Sequence, residues 1–315
     1  DCHRPPSPDS ACLPRLRNQA RCNRMQGEFP MANPNHGRCC FVLCRAHEYL
    51  VFAARNATLL SRCAFPDPLA QCELLRASNI LALLFEPRRH EVVFWDDARR
   101  VPVARLPLDG PVERFLLRPA SITVQLPERA VIFALCDFAR VATWPLPPNC
   151  RLECPPRRER LFAWAAPGDA ALTLHDLAAD GAERAIALRH GPLHVWAFDR
   201  DGNVLAVLAS GGTLRLHDLH GGSTRTLRLG SSSATLRALD FSADATLLAT
   251  VSADGTVRVL WTSAQRTATR VVDGAVWAFW NVSGELVAGT REEVINFARV
   301  EGDAFAVTQR QLCLE

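Results

Sequence analysis

A nineteen-residue phrase occurs twice at an offset of 43 residues, as FDRDGNVLAVLASGGTLRL from Phe198 to Leu216 and as FSADATLLATVSADGTVRV from Phe241 to Val259. Self-similarity at this period marks a repeat architecture. Each copy holds an alternating apolar run, a Gly-containing turn and a second alternating run, which is the pattern of a β-hairpin. A hairpin of that size cannot bury its own apolar face. Radial stacking of four-stranded units solves the problem, and about 40–45 residues is the length of one such unit. His175-Asp176-Leu177 recurs as His217-Asp218-Leu219, 42 residues on, and Val195-Trp196-Ala197-Phe198 recurs as Val276-Trp277-Ala278-Phe279, 81 residues on, two unit lengths.

The rest of the chain fits the same unit. From Cys39 onward CFVLCR and EYLVFA form a first hairpin; CELLRASNILALLF, EVVFWDD and VPVARLPL follow, then ERFLLRP, SITVQLP, RAVIFAL and RVATWPL, then RLFAWAA and ALTLHDL. PPNCRLECPP reads as a turn-rich connection. Counting gives about seven units, so the expected fold is all-β: a seven-bladed WD40-type β-propeller in a single domain, residues 37–315. Residues 1–36, rich in Pro, Arg, Asn and Ser and without either period, read as a disordered leader, with Met25 or Met31 as candidate first residues. Ring closure is expected to pair the segment near Phe41 with C-terminal strands around 304–314, because closure removes exposed strand edges.

Composition narrows the function. A net charge of +3 is too weakly basic to argue for nucleic acid. The sequence has twelve cysteines but no C-x2-C pair, and Cys150-x3-Cys154 lacks a second pair at zinc spacing, so the thiols read as reduced and structural, and no metal or cofactor is expected. Asn56-Ala57-Thr58 and Asn281-Val282-Ser283 match the glycosylation triplet, which also arises by chance. There is no apolar run for a membrane span and no signal-peptide core, which points to a cytoplasmic monomer. Phosphate loops, G-x-S-x-G and H-E-x-x-H are missing from the sequence, and the two His-Asp dipeptides sit where blade repeats carry Trp-Asp, as structural hydrogen-bonding pairs; an enzyme is not expected.

Leu227-Arg228-Leu229-Gly230-Ser231, then Ala234, Phe241-Ser242 and Ser252-Ala253-Asp254-Gly255-Thr256-Val257, resembles a stretch of the PROPPIN family, β-propellers that bind phosphoinositides, which reads L/F-R-R-G-S, A, F-S and S-D-K-G-T-V-H. Leu75-Arg76-Ala77-Ser78-Asn79-Ile80-Leu81-Ala82-Leu83 is similar to the family's L-F-R-S-N-L-L-A-L, and Val93-Phe94-Trp95-Asp96-Asp97 to its V-x-I-W-D-D. The likeness runs over about residues 39–300.

The resemblance implies two headgroup pockets flanking the Arg-Arg motif. The first would use His190, Thr213, Arg215 and Arg228, with Ser210 after a one-residue shift; the second would use Ser252, Thr256 and Arg258. Thr and Arg two apart on a strand share a face, and a hydroxyl beside a guanidinium suits a phosphate monoester. The chain departs from the family at Leu229, which replaces the second motif Arg, and at Asp254, which replaces a Lys and would repel phosphate. Only TSAQRTATRVVDGA lies between Trp261 and Val276, where the family carries a long membrane-inserting loop. The implied function is a phosphatidylinositol 3-phosphate effector, peripheral to preautophagosomal or endosomal membranes, with an autophagy lipid-transfer protein docking near blades 2–3, around Pro87-Arg88-Arg89-His90. The alternative is a protein-interaction scaffold of the same family that has lost lipid binding.

Overall fold

The computed structural model describes residues 33–34 and 39–315 except 77, 167–168, 170, 180–181, 188–192, 210–212, 230–235, 265–266, 272–274, 276, 282–283, 290–292, 298–299, 302–303, 306–310 and 314–315; for some strand residues, Arg228 among them, only the backbone is described. Among the described residues the chain is all-β apart from one short 3-10 turn at Glu86–Arg88. Seven four-stranded antiparallel sheets follow one another: sheet 1 at residues 33–64, sheet 2 at 69–107, sheet 3 at 114–145, sheet 4 at 151–187, sheet 5 at 193–228, sheet 6 at 236–271 and sheet 7 at 277–313. Each sheet is a meander, and an extra two-stranded hairpin, Val300–Glu301 with Ala304–Phe305, stands ahead of the last strand of sheet 7.

The apolar pattern explains the arrangement. Ile80–Phe85 and Ser121–Leu126, second strands of their sheets, are buried at every position, because sheets cover them on both faces. Outer strands such as Leu59–Ala64 and Arg140–Pro145 are exposed or half-buried at every position but Trp144, since only one face meets a neighbouring sheet. Neighbouring sheets share cores in sequence: Phe94 and Phe115 join sheets 2 and 3, Trp144 and Phe162 join 3 and 4, and Leu174 and Trp196 join 4 and 5. Leu214 and Phe241 then join sheets 5 and 6, and Val259 and Trp280 join 6 and 7. The last core contains Phe41 and Leu83 together with Trp277 and Phe279, so sheets 2, 1 and 7 meet and the ring is closed.

Closure differs from the sequence expectation. Cys40–Arg45, the strand carrying Phe41, pairs with Asn33–Pro34 and Glu48–Ala53, while Gln311–Cys313 pairs with Glu293–Phe297 of its own sheet. No strand is shared between the chain's two ends among the described residues; the seal is made of side chains. Phe41, fully buried, stacks on Phe52 at 5.1 Å and meets the rings of Trp277 and Phe279 at 5.7 and 5.3 Å. The Asn281 amide, also fully buried, donates to the Ala54 carbonyl at 3.1 Å, which leaves that glycosylation triplet inaccessible. Asn33–Pro34 belongs to the stretch read as a leader, and Arg151–Glu153 of the stretch read as a connection is the first strand of sheet 4, its Leu152 fully buried. Three residues are too few for a visible alternation.

Turns are held by aspartates. Asp96, Asp176 and Asp218, each ending a third strand, accept the backbone N–H two residues on at 2.9–3.0 Å. In the preceding hairpin Asp199 reaches further, accepting from Asn203 and Val204 at 2.7 and 2.8 Å, while Asp244 again takes the N–H two residues on, that of Thr246, at 3.1 Å. This is the Asx-turn that a carboxylate next to its own backbone favours. The His-Asp dipeptides therefore act separately rather than as pairs. His175 is buried between the rings of Trp144 and Trp164, while Asp176 ion-pairs with Arg158 at 2.5 Å. The cysteines also differ in one respect: Cys44, Cys63, Cys150 and Cys154 are free thiols, whereas Cys40 is disulfide-bonded.

Candidate functional site

Sheet 5 is built from Leu193–Phe198, Val204–Ala209, Thr213–Asp218 and Thr224–Arg228. Period-two alternation divides its third strand between two neighbours. Leu214 and Leu216 are buried with Leu227 against Phe241, Leu248 and Leu260 of sheet 6. Thr213, Arg215 and His217 take the other face, in the same row as Val207, which packs on sheet 4. In the ladder Thr213 pairs with Arg228, Arg215 with Thr226, and His217 with Thr224. The predicted members of the first pocket Thr213, Arg215 and Arg228 therefore occupy adjacent register positions at one end of the sheet. His190 and Ser210 lie outside the described residues.

The same face continues into a cleft of about 460 Å³ between sheets 4 and 5. Arg184 on Ala182–Ala187, the outer strand of sheet 4, lines it together with Arg215, His217, Asp218, Thr224 and Thr226. The Thr224 hydroxyl lies 3.1 Å from His217 Nδ1, and His217 Nε2 is buried with no hydrogen-bond partner among the described residues. Burial, then the guanidinium of Arg215, then that of Arg184, hold the His217 pKa below its ordinary value. Asp218 is engaged by its own turn, accepting from His220 N at 2.9 Å and Gly221 N at 2.8 Å, which holds its carboxyl below the usual range. Arg184, Thr224 and Thr226 were not singled out from sequence, and His217 was read there only as half of a structural His-Asp pair. Arg215-x-His217 beside Thr224-x-Thr226 is a legible alternation, but Arg184 joins it only through the packing of two sheets.

The predicted second pocket has a different character. Ser252 and Thr256 are only 0% and 7% exposed, and Arg258 Nη1 donates to the Ser252 hydroxyl at 3.1 Å. Asp254 accepts the Thr256 N–H at 2.9 Å, and that bond, the Thr256 hydroxyl and the nearby Arg258 lower its pKa. Leu229, standing where the family has Arg, is 6% exposed and belongs to the core between sheets 5 and 6 with Leu236 and Phe241. The three residues are brought together, but their polar groups satisfy one another beside an apolar wall.

In sheet 6 the link between the third strand, Thr256–Trp261, and the fourth, Thr267–Val271, spans only residues 262–266. Trp261 is half-buried against the core of sheets 6 and 7 rather than presented outward. Near sheets 2 and 3, Arg88 pairs with Asp67 at 2.7 Å and Arg89 with Glu86 at 2.7 Å, so both guanidinium groups carry an exposed acidic partner. Among the described residues no helix is long and apolar enough to cross a membrane, and no group of three His, Cys, Asp or Glu side chains is placed to hold a metal ion.

No protein-family model matches this chain. Among solved structures, Hsv2 of Kluyveromyces marxianus matches with a TM-score of 0.75 at 17% identity, over 90% of this chain and 98% of that one. Kluyveromyces lactis Hsv2 with its complete loop 6CD gives 0.76 at 15% identity, over 90% and 98%. KlAtg21 in complex with the coiled coil of AgAtg16 gives 0.77 at 11% identity, over 91% and 99%. At these identities the likeness is one of fold. The chain is an all-β propeller of the form seen in Hsv2 and Atg21, both PROPPINs.

Proposed function

We propose that this chain is a seven-bladed propeller of the PROPPIN family that binds a phosphoinositide, phosphatidylinositol 3-phosphate or a related headgroup, on the face of sheet 5 turned toward sheet 4. One observation carries the reading: Thr213 and Arg215 share that face, and Arg228 stands opposite Thr213 in the ladder. A guanidinium offers a planar donor fork to phosphate oxygens and a threonine hydroxyl adds a further donor. His190 completes this pocket in the family pattern. Ser252, Thr256 and Arg258 are assigned a structural role instead, since a bound phosphate would have to break the Arg258–Ser252 bond and sit beside Leu229. One pocket and a short sixth-sheet link give weak, peripheral membrane attachment, because two weak sites reinforce each other only when both are present.

The propeller acts by binding and not by catalysis. The KlAtg21 structure includes a coiled coil of AgAtg16, which supports a protein of the autophagy machinery as partner here and an autophagic or endosomal membrane as location. The scaffold reading, in which lipid binding is lost altogether, is favoured by the closed second pocket. Flotation with vesicles bearing phosphatidylinositol 3-phosphate separates the two. Arg228→Ala and Thr213→Val should each weaken headgroup-dependent flotation, Arg228→Ala by roughly tenfold to a hundredfold through loss of charge-assisted bonds. If the parent does not float and both variants match it, the scaffold reading stands.

A further inference from the structure

We propose that the cleft between sheets 4 and 5 is a phosphate-binding site in its own right, centred on Arg184, His217 and Thr224 and separate from the Thr213–Arg228 end of the same face. Its ionisable lining is Arg184 from sheet 4 and Arg215, His217 and Asp218 from sheet 5, a net charge of one positive with His217 neutral. Neither guanidinium has a carboxylate partner among the described residues. Asp218 is the opposing charge, and its Oδ1 is already taken by two backbone N–H groups of its turn. Asp218 offsets only one of the two positive charges, so the lining keeps a net positive charge that an anion entering the cleft would neutralise. The cleft volume, about 460 Å³, admits a phosphate with a sugar-sized or inositol-sized body attached.

The histidine is built for the same ligand. When the Thr224 hydroxyl donates to Nδ1, 3.1 Å away, Nε2 carries the ring proton and is a buried donor with no acceptor among the described residues. A buried donor left unmade is costly, and a turn of the ring that brings this N–H to a phosphate oxygen in the cleft satisfies it. An anion between Arg184 and Arg215 also cancels the repulsion that, after burial, keeps His217 neutral. Binding then raises the His217 pKa and takes up a proton, so affinity rises as pH falls toward the ordinary histidine range; Arg184, Arg215 and Asp218 are the charged groups facing it.

The ligand is either a soluble phosphate or the headgroup of a lipid, and the test separates these. Calorimetric titration of the full chain with inorganic phosphate should show binding that Arg184→Gln and His217→Gln each weaken by about tenfold or more. Sulfate, whose charge is constant across this range, should bind more tightly at pH 5.5 than at pH 7.5, and His217→Gln should abolish that difference. For a soluble ligand, flotation on vesicles bearing phosphatidylinositol 3-phosphate is insensitive to Arg184→Gln; for a lipid headgroup it falls with phosphate binding. Arg184 is exposed, so melting of Arg184→Gln should match the parent. No phosphate binding by the parent, or phosphate binding that Arg184→Gln and His217→Gln leave unchanged, overturns the proposal. The lipid reading fails separately, through Arg228→Ala and Thr213→Val in flotation alone.

Discussion

Leu229→Arg would restore the family's Arg-Arg motif, and from sequence alone it looks like a gain of function. The structure gives the opposite expectation. Leu229 is 6% exposed within a core that includes Leu227, Leu236, Phe241, Leu248 and Leu260. Withdrawing a buried leucine forfeits about 1.5–3 kcal/mol of burial, and a guanidinium entering that wall adds a desolvation cost reduced only as far as its stem can carry the head to water. A total of at least about 3 kcal/mol follows. With an unfolding entropy of about 2.1 cal/mol/K per residue over roughly 280 propeller residues, this corresponds to a fall in Tm of about 5 °C. Tryptophan fluorescence or calorimetric melting reads it directly, and Leu229→Met, which conserves volume, should stay within about 1.5 kcal/mol of the parent. An unchanged Tm for Leu229→Arg together with tighter vesicle binding would show that position 229 opens to a working pocket and would refute the argument.

Three further expectations rest on the packing. Phe41→Ala should cost about 3–5 kcal/mol, since the ring is fully buried against Phe52, Trp277 and Phe279 where the two ends of the chain meet; a melt within 1 °C of the parent would show that closure lies elsewhere. Gly289 faces Trp277 across the ladder, and a Cβ there would come 2.1 Å from the indole, so Gly289→Ala should destabilise by about 1–3 kcal/mol, visible as a lower denaturation midpoint. Burial pushes the Cys150 and Cys154 thiols up to about 11. The reactive thiolate is the deprotonated form, so at pH 7.5 iodoacetamide should leave both unmodified in the native protein, with alkylation appearing as pH approaches 11 or on unfolding, as mass spectrometry of the digest would report.

The repeat made the sheet order legible because each unit carries its own alternation and its own aspartate-held turn. Most strands from Cys40 to Asp176 could be placed from apolar periodicity alone, save Leu59–Ala64, an outer strand that was not picked out, and Arg151–Glu153, which is too short to show one. Closure was not legible. The sequence contains apolar aromatic residues near both ends, but whether two ends exchange a strand or meet through side chains depends on register, and Asn33–Pro34 supplies sheet 1 with a first strand from a stretch with no period at all. The Cys40 disulfide was hidden for a similar reason: spacing does not reveal which thiols the ring brings together.

The two halves of the candidate site were legible to different degrees, and the cause is the pleat of one strand. Thr213–Asp218 sends Leu214 and Leu216 toward sheet 6 and Thr213, Arg215 and His217 toward sheet 4. Guanidinium groups on the sheet 6 side can be lost by a single exchange to leucine, because that side borders a leucine core and readily absorbs one more apolar residue. The sheet 4 side cannot be lost so easily. Its row of Arg215 and His217 is paired with Thr226 and Thr224, and Arg184 closes it from the neighbouring sheet, so one apolar replacement there would strand several polar groups instead of extending a core. Sequence comparison sees one altered motif residue; the pleat is what confines the change to the face toward sheet 6 and leaves Arg215 on the face toward sheet 4.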